Sequence, residues 1–153
     1  MFLIIDFDVL CYASIKKRPD PASTVAITSV EDVPDNPYST DGYTAEENAD
    51  WLKECWFNLL DKIEFLKEET FATEVVGYVK GDTNFRDALF ATYKAKRGTQ
   101  VSNARRNPFV QPLRDRLVQE GIGIKARNRE ADDEICIKAY ECMRKGIPYV
   151  IAS

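Results

Sequence analysis

The segment Arg-Glu-Ala-Asp-Asp-Glu at positions 129–134 places four carboxylates within six residues. In a helix that begins here, Glu130, Asp133 and Glu134 share one side, and Asp132 lies beside them in the first turn. The helix dipole favours an acidic residue in a first turn by only about 0.3 to 1 kcal/mol, which accounts for one or two of the four. The remaining repulsion predicts either carboxylates that splay into water or a cation that gathers them.

Further acidic residues follow the strand-like segments of the chain. Asp6 and Asp8 come directly after the apolar run 2–5, and Asp82 comes shortly after the run 74–79. The carboxyl ends of parallel strands meet at one edge of a sheet, where ligands bind, so we expect these acids to meet there. Oxygen ligands in this number suit Mg²⁺ or Mn²⁺. The predicted metal ligands are Asp6, Asp82, Glu130, Asp132 and Asp133.

The sequence contains no histidine. This excludes Ser-His and Cys-His nucleophilic pairs, histidine general bases and imidazole metal ligands. The four cysteines show no Cys-x-x-Cys spacing and lie in apolar stretches, so we expect reduced thiols in the core.

Charge is distributed unevenly along a chain whose net charge is −4. Residues 20–50 contain eight acidic and no basic residues, whereas residues 86–129 contain eleven basic and three acidic ones. Within the basic stretch, the spacing of Lys94 and Arg97 places both on one face of a helical turn. The segregation favours a local phosphate-binding surface on an acidic body, with a solvated helix face as the alternative.

The elements that must position these residues follow from the hydrophobic pattern. Apolar runs predict strands at 2–5, 74–79, 122–126 and 148–153. Helical spacing and a capping box at Thr44 predict a helix of about six turns, and shorter helices are expected at 85–90, 108–119 and 131–145. Alternation of strands and helices predicts a three-layer α/β fold with a mostly parallel central sheet flanked by helices.

The length predicts one domain over residues 1–153, with an acidic, proline-containing loop at 16–43. The start of the chain lacks the basic lead and cleavage site of a signal peptide, and no apolar run approaches the roughly 18 residues of a membrane span. A cytoplasmic protein is therefore expected.

Four short motifs occur in order along the chain: Ile4-Ile5-Asp6, Asn84-Phe85-Arg86 with Tyr93-Lys94-Ala95-Lys96-Arg97, Glu130-Ala131-Asp132-Asp133, and residues 150–153. Together they resemble the N-terminal part of the 5′-nuclease superfamily, which includes flap endonucleases, the 5′-nuclease domain of bacterial DNA polymerase I and bacteriophage 5′-to-3′ exonucleases. Ile4-Ile5-Asp6 resembles its first strand with the terminal Asp. Asn84-Phe85-Arg86 with Tyr93-Lys94-Ala95-Lys96-Arg97 resembles its FR…YKxxR signature. Glu130-Ala131-Asp132-Asp133 resembles its E-A-D-D motif, and 150–153 resembles the strand before its D-x-D motif.

The resemblance implies a PIN-like domain that hydrolyses DNA phosphodiesters at 5′ ends or flaps with Mg²⁺ or Mn²⁺, in a host cytoplasm if the protein is phage-encoded. Lys94 would stabilise charge on the scissile phosphate, Arg97 would steer that phosphate, and Tyr93 would stack on a base or pack internally. Residues 84–107 would form a basic helical arch that threads single-stranded DNA. The implied catalytic residues are Asp6, Lys94, Arg97, Glu130, Asp132 and Asp133. The implied DNA-binding residues are Arg86, Tyr93, Lys94, Lys96, Arg97, Arg105 and Arg106.

The sequence departs from the family pattern in three places. Phe7 replaces the usual Gly, the second-strand acid is displaced to Asp82, and the chain ends at Ser153, before the D-x-D motif. One hypothesis is a piece of a split or shortened nuclease whose missing carboxylates come from a second polypeptide. The alternatives are a one-metal enzyme of reduced activity and a module that binds DNA or a replication partner without cleavage. A PIN-type ribonuclease would share the acids without needing the FR…YKxxR stretch.

Overall fold

The computed structural model describes residues 1–18, 21, 37–89 and 107–153, which form a mixed α/β fold. In chain order the elements are β1 (Phe2–Asp6), α1 (Phe7–Ser14), α2 (Ala45–Thr70), β2 (Glu74–Val79), α3 (Phe85–Leu89), α4 (Val110–Gln119), β3 (Ile124–Lys125), α5 (Ala131–Arg144) and β4 (Tyr149–Ala152). The strands form one parallel sheet in the order β3-β2-β1-β4. The predicted α/β class and parallel sheet are confirmed.

Packing places helices on both faces of the sheet. Leu3 and Ile5 of β1 belong to a core cluster with residues of α1, α2 and α4, whereas Ile4 packs with Ile135 and Ala139 of α5. All three β1 side chains are fully buried, as expected for a central strand with both faces covered. The ends of β1 are thereby fixed relative to its neighbours.

Helix ends follow local signals in the sequence. The Thr44 hydroxyl accepts a hydrogen bond from the Glu47 amide at 3.1 Å, and the Glu47 carboxylate accepts one from the Thr44 amide at 3.0 Å. This predicted capping box starts α2, which runs for 26 residues. Gly146 follows α5 with a φ of +66°, the left-handed geometry that glycine adopts without steric cost.

The third strand is shorter than predicted. The pattern indicated residues 122–126, but only Ile124 and Lys125 pair with β2. The amides of Ile122 and Gly123 both donate to the carbonyl of Leu117 at 2.9 Å, so they are used to end α4 and are lost to the sheet.

Phe7, the first residue of α1, is fully buried. Its ring lies directly against Gly77 of β2, where a Cβ would overlap it, and near Gly123, where a Cβ would lie 3.3 Å from the ring. Two glycines on neighbouring segments therefore make room for this side chain at the end of β1.

The described part of the loop at 16–43 is held by Arg18. Its side chain is 5% exposed, lies 3.4 Å over the Tyr43 ring and donates to the Glu47 carbonyl at 3.0 Å. The remainder of that predicted loop, and residues 90–106 of the predicted basic segment, lie outside the described residues.

Three of the four cysteines are buried and free, which agrees with the expected core thiols. Burial raises the pKa of the Cys11 thiol to about 12. Cys136 differs because it lies on the exposed side of α5. Across the described chain, no helix has the length and apolar character needed to cross a membrane.

Replacing Gly77 with Ala tests the contact with Phe7. The added methyl group must displace the ring, so we expect Gly77→Ala to lower the free energy of unfolding by about 1 to 3 kcal/mol in urea denaturation. In a background carrying Phe7→Leu, the same replacement should cost at least about 0.5 kcal/mol less, because the shorter side chain leaves space. Additive losses in the double variant would contradict this packing.

Candidate functional site

A cleft of about 550 Å³ opens at the carboxyl ends of β1 and β2, beside the turn between β3 and α5. Six carboxylates line it: Asp6, Asp8, Asp82, Asp87, Glu130 and Asp132. Three basic residues also line it: Lys80, Arg114 and Arg129. Acids from separate segments of the chain therefore line one cleft at this edge of the sheet.

Asp6 has the most constrained position among these acids. It is the last residue of β1 and the N-cap of α1, and its Oδ1 accepts a hydrogen bond from the Val9 amide at 3.2 Å. Only 7% of the residue is exposed. The strand delivers the carboxylate to the cleft, and the helix cap fixes its orientation.

The pKa of Asp6 is raised above the ordinary 3.8. Burial is the main cause, and the negative charges of Asp8 and Asp132 add to it. Backbone amides oppose the shift by hydrogen bonding to the carboxylate. The contribution of Asp132 means that acids from the two ends of the chain interact across the cleft.

Protein cations hold most of the acidic cluster at the start of α5. The Arg86 guanidinium forms a two-pronged ion pair with Asp133, at 2.7 and 2.8 Å, and lies 4.0 Å from Glu130. Arg129 lies 3.6 Å from Glu134. Three of the four carboxylates are thus compensated by arginines, which sequence reasoning did not anticipate.

Asp133 also has a role in helix capping. Its Oδ2 accepts a hydrogen bond from the Glu130 amide at 3.0 Å, which satisfies a free donor at the start of α5. Asp133 is not among the residues that line the cleft. Its neighbour Asp132 does line the cleft and is exposed, and it forms no hydrogen bond or ion pair with other described residues.

Asp82 lies at the outer edge of the cleft, three residues beyond β2. Its carboxylate is 2.7 Å from the Lys125 ammonium, and its side chain is 82% exposed. An exposed ion pair of this kind contributes about 0 to 1 kcal/mol to stability, so it is easily exchanged for other partners.

Asp8 and Arg114 form a second ion pair in the wall of the cleft, with Asp8 Oδ1 2.7 Å from Arg114 Nε. The other Asp8 oxygen accepts a hydrogen bond from the Lys80 amide at 3.0 Å, which joins α1 to the end of β2. Arg114 is 5% exposed and was not predicted as a site residue. A signal was present, because Arg114 lies in the apolar helical stripe that includes Val110 and Leu117.

Two close contacts fix the loop between β2 and α3. A Cβ at Gly81 would overlap the Ala126 carbonyl, so glycine permits the two backbones to approach. The Phe85 amide donates to the carbonyl of Asn128 at 2.9 Å. The loop that carries Asp82 is thereby attached to the turn that precedes α5.

The donors in the cleft fit a divalent cation in type, because carboxylate oxygens are the ligands that Mg²⁺ prefers. Within residues 1–18, 21, 37–89 and 107–153, however, no group of three or more acidic, cysteine or histidine side chains converges closely enough to hold a metal ion. Magnesium is usually bound by one or two carboxylates, with water and substrate phosphate completing its shell. The described carboxylates therefore do not form a closed cage for a metal ion.

The residues predicted to bind nucleic acid are mostly outside the described part of the chain. Arg86 is described, and its guanidinium contacts Asp133 and lies 4.6 Å from the Phe85 ring centre. The predicted positions that fall outside are Tyr93, Lys94, Lys96, Arg97, Arg105 and Arg106. Their roles therefore remain predictions.

Comparisons with models of protein families, with curated proteins and with solved structures found no match for this chain.

Stability measurements can distinguish the role of Asp133, whose carboxylate caps α5, from the role of its neighbour Asp132. We expect Asp133→Ala to lower the free energy of unfolding by about 1 to 2 kcal/mol. The variant loses both the hydrogen bond that Asp133 accepts from the Glu130 amide and the ion pair with Arg86. Asp132→Ala should change it by less than about 0.5 kcal/mol. Urea denaturation of both variants measures this, and a larger loss for Asp132→Ala would contradict the assignment.

Asp6→Asn should stabilise the protein near neutral pH. The folded pKa of Asp6 lies above its unfolded value, so the folded state binds more protons between the two and its stability falls as pH rises through that interval. Asparagine keeps the N-cap and removes the buried charge. The gain should vanish below the ordinary pKa of 3.8, where Asp6 is protonated in both states. Denaturation curves from acidic to neutral pH test this, and a constant difference across the range would refute it.

Proposed function

We propose that this chain is the N-terminal domain of a divalent-metal-dependent 5′-nuclease that hydrolyses DNA phosphodiesters at 5′ ends or flaps. The observation that carries the proposal is the meeting of Asp6, buried at the end of β1, with Asp132, at the start of α5, in one acidic cleft. This supports the motif resemblance because the two acids are 126 positions apart in the chain.

The charge of the cleft supports a requirement for a metal ion. Six carboxylates and three basic side chains line it, so at neutral pH it repels a phosphodiester. A divalent cation reverses the local charge and can bridge protein carboxylates and phosphate oxygens. The proposed cofactor is Mg²⁺ or Mn²⁺, which would supply Lewis acidity and charge neutralisation at the scissile phosphate.

Some residues at the cleft would bind the metal ion, and others would keep those residues in position. Asp6 and Asp132 would hold the metal ion, with Asp6 oriented by its cap to the Val9 amide. Glu130 and Asp82 line the same cleft and would complete the shell directly or through water. Asp133 would act by keeping the start of α5 and Arg86 in place.

The remaining assignments come from the motif resemblance. Lys94 and Arg97 would contact the scissile phosphate, and Tyr93 would stack on a base. Arg86, Lys96, Arg105 and Arg106 would contact the DNA backbone. A second polypeptide would supply the D-x-D carboxylates if the nuclease is split.

A DNA-binding module without cleavage is the second candidate. It is favoured by the lack of three convergent carboxylates in the described chain and by the use of Arg86 to neutralise Asp133. In this alternative the basic segment would hold single-stranded DNA or a replication partner, and the acidic cleft would not catalyse a reaction.

A cleavage assay on a 5′-labelled flap substrate tests the proposal. We expect products with Mg²⁺ or Mn²⁺ and none in EDTA, with Asp132→Asn lowering the rate by about 100-fold or more, since metal sites are sensitive to loss of their ligands. The matched control is Asp61→Asn, which removes a carboxylate from the exposed side of α2 and should leave the rate unchanged.

The outcomes separate the candidates. DNA binding that is equal in Mg²⁺ and EDTA, with no cleavage at any metal concentration, would favour the binding module. Cleavage that appears only after a second polypeptide is added would favour the split nuclease. Cleavage that persists undiminished in Asp132→Asn would refute the proposed site.

A further inference from the structure

A second cavity lies next to the cleft, between α4 and the carboxyl end of β3. It has a volume of about 200 Å³, and we name it the α4 groove. Its polar lining consists of Lys80, Gln111, Arg114, Asp115, Gln119 and Lys125.

The cleft and the groove share a wall in which charges are separated. Lys80 and Arg114 line both cavities. Asp8 and Asp82 line the cleft, while the partner of Asp82, Lys125, lines the groove. The Asp82–Lys125 pair therefore places its carboxylate toward the cleft and its ammonium toward the groove, whereas Lys80 and Arg114 border both cavities.

The groove has an excess of positive charge. Three basic residues line it, against the single carboxylate of Asp115. That carboxylate already accepts a hydrogen bond from the Gln111 amide nitrogen at 2.9 Å. An acidic cleft that suits a metal ion thus adjoins a basic groove that suits an anion.

Arg114 has a fixed carboxylate partner, whereas the partner of Lys125 is easily exchanged. Arg114 is 5% exposed and held in the wall by Asp8, so its position costs little further ordering. Lys125 is 46% exposed in its side chain, and its ion pair with Asp82 is of the weak surface type. A phosphate oxygen can replace Asp82 as the partner of Lys125 at little cost.

We propose that the α4 groove binds a backbone phosphate of the nucleic-acid strand, adjacent to the phosphate that occupies the cleft. The inference rests on the proposed function for the identity of the strand. It assigns Lys80, Arg114 and Lys125 to a phosphate subsite, so the strand would cross the β3 edge of the sheet. Arg114 is a positioning residue in the wall between the two cavities.

Two variants test the groove in binding assays with a short single-stranded DNA and Ca²⁺, a divalent cation that neutralises the cleft in place of Mg²⁺. Lys125→Gln removes a cation, and Gln119→Glu adds a carboxylate while leaving the Lys125–Asp82 pair intact. Each should weaken binding by about fivefold, and Lys125→Gln should reduce the slope of log affinity against log salt by about 0.7, the loss of one phosphate contact. Lys145→Gln is the matched control, because it breaks an exposed ion pair with Glu141 at the opposite end of α5.

Single methylphosphonate linkages, which remove the charge of one phosphate, locate the contact along the strand. A methylphosphonate at one position of the strand should weaken DNA binding by the unmodified protein and should have no effect on DNA binding by Lys125→Gln. Wild-type affinity in both variants would overturn the inference, as would failure of the unmodified protein to bind DNA. Weakened binding without a methylphosphonate position that depends on Lys125 would also overturn it.

These results are separable from the nuclease proposal. The expected binding changes without any metal-dependent cleavage would retain the groove and reject the nuclease. Normal cleavage by both variants, with unchanged binding, would retain the nuclease and reject the groove.

Discussion

The burial of the Asp6 carboxylate at the junction of β1 and α1 is the constraint on which the rest of the site depends. The strand is central in the sheet and covered on both faces, so its last side chain has little freedom to move away from the cleft. Burial and neighbouring carboxylates make its charge unfavourable, as its raised pKa records. A protein that keeps an ionisable acid in such a place forgoes stability that a neutral side chain would provide. Functional sites are where such groups concentrate.

The acidic run at the start of α5 has a different physical explanation from the one its sequence first suggests. Arginines from two directions compensate Asp133, Glu130 and Glu134, and one carboxylate also caps the helix. Protein cations therefore account for three of the four acidic residues at the start of this helix. Asp132 stands apart because it faces the cleft without a described protein partner, which leaves it available to a ligand.

Much of the fold could be predicted because strong local signals decide it. The apolar runs of β1 and β2, the capping box at Thr44 and the glycine after α5 each determine an element within a few residues. The third strand was overestimated because its pairing depends on a tertiary choice, in which the Leu117 carbonyl takes the amides of Ile122 and Gly123. The hydrophobic pattern alone does not predict which carbonyl these two amides will bind.

The candidate site was predictable in part for the same reason. The edge that carries Asp6 and Asp132 follows from parallel topology, whereas the partners of the charged groups follow from side-chain geometry. The position of Arg114 in an apolar stripe of α4 indicated a buried ion pair, but the sequence did not indicate that Asp8 would be its partner. The commitment of Arg86 to Asp133 joins residues 47 positions apart, and sequence spacing carries no information about such a pair.

The attachment of α3 has a mechanical consequence. Two consecutive residues attach this helix to the start of α5. The Phe85 amide donates to the Asn128 carbonyl, just before α5, and the Arg86 side chain binds Asp133 in its first turn. Two adjacent points of attachment fix the rotation of a short helix as well as its location. A displacement of α3 is therefore transmitted to Asn128 and Asp133, which lie on either side of Asp132, so the position of this helix and the shape of the acidic cleft are physically linked.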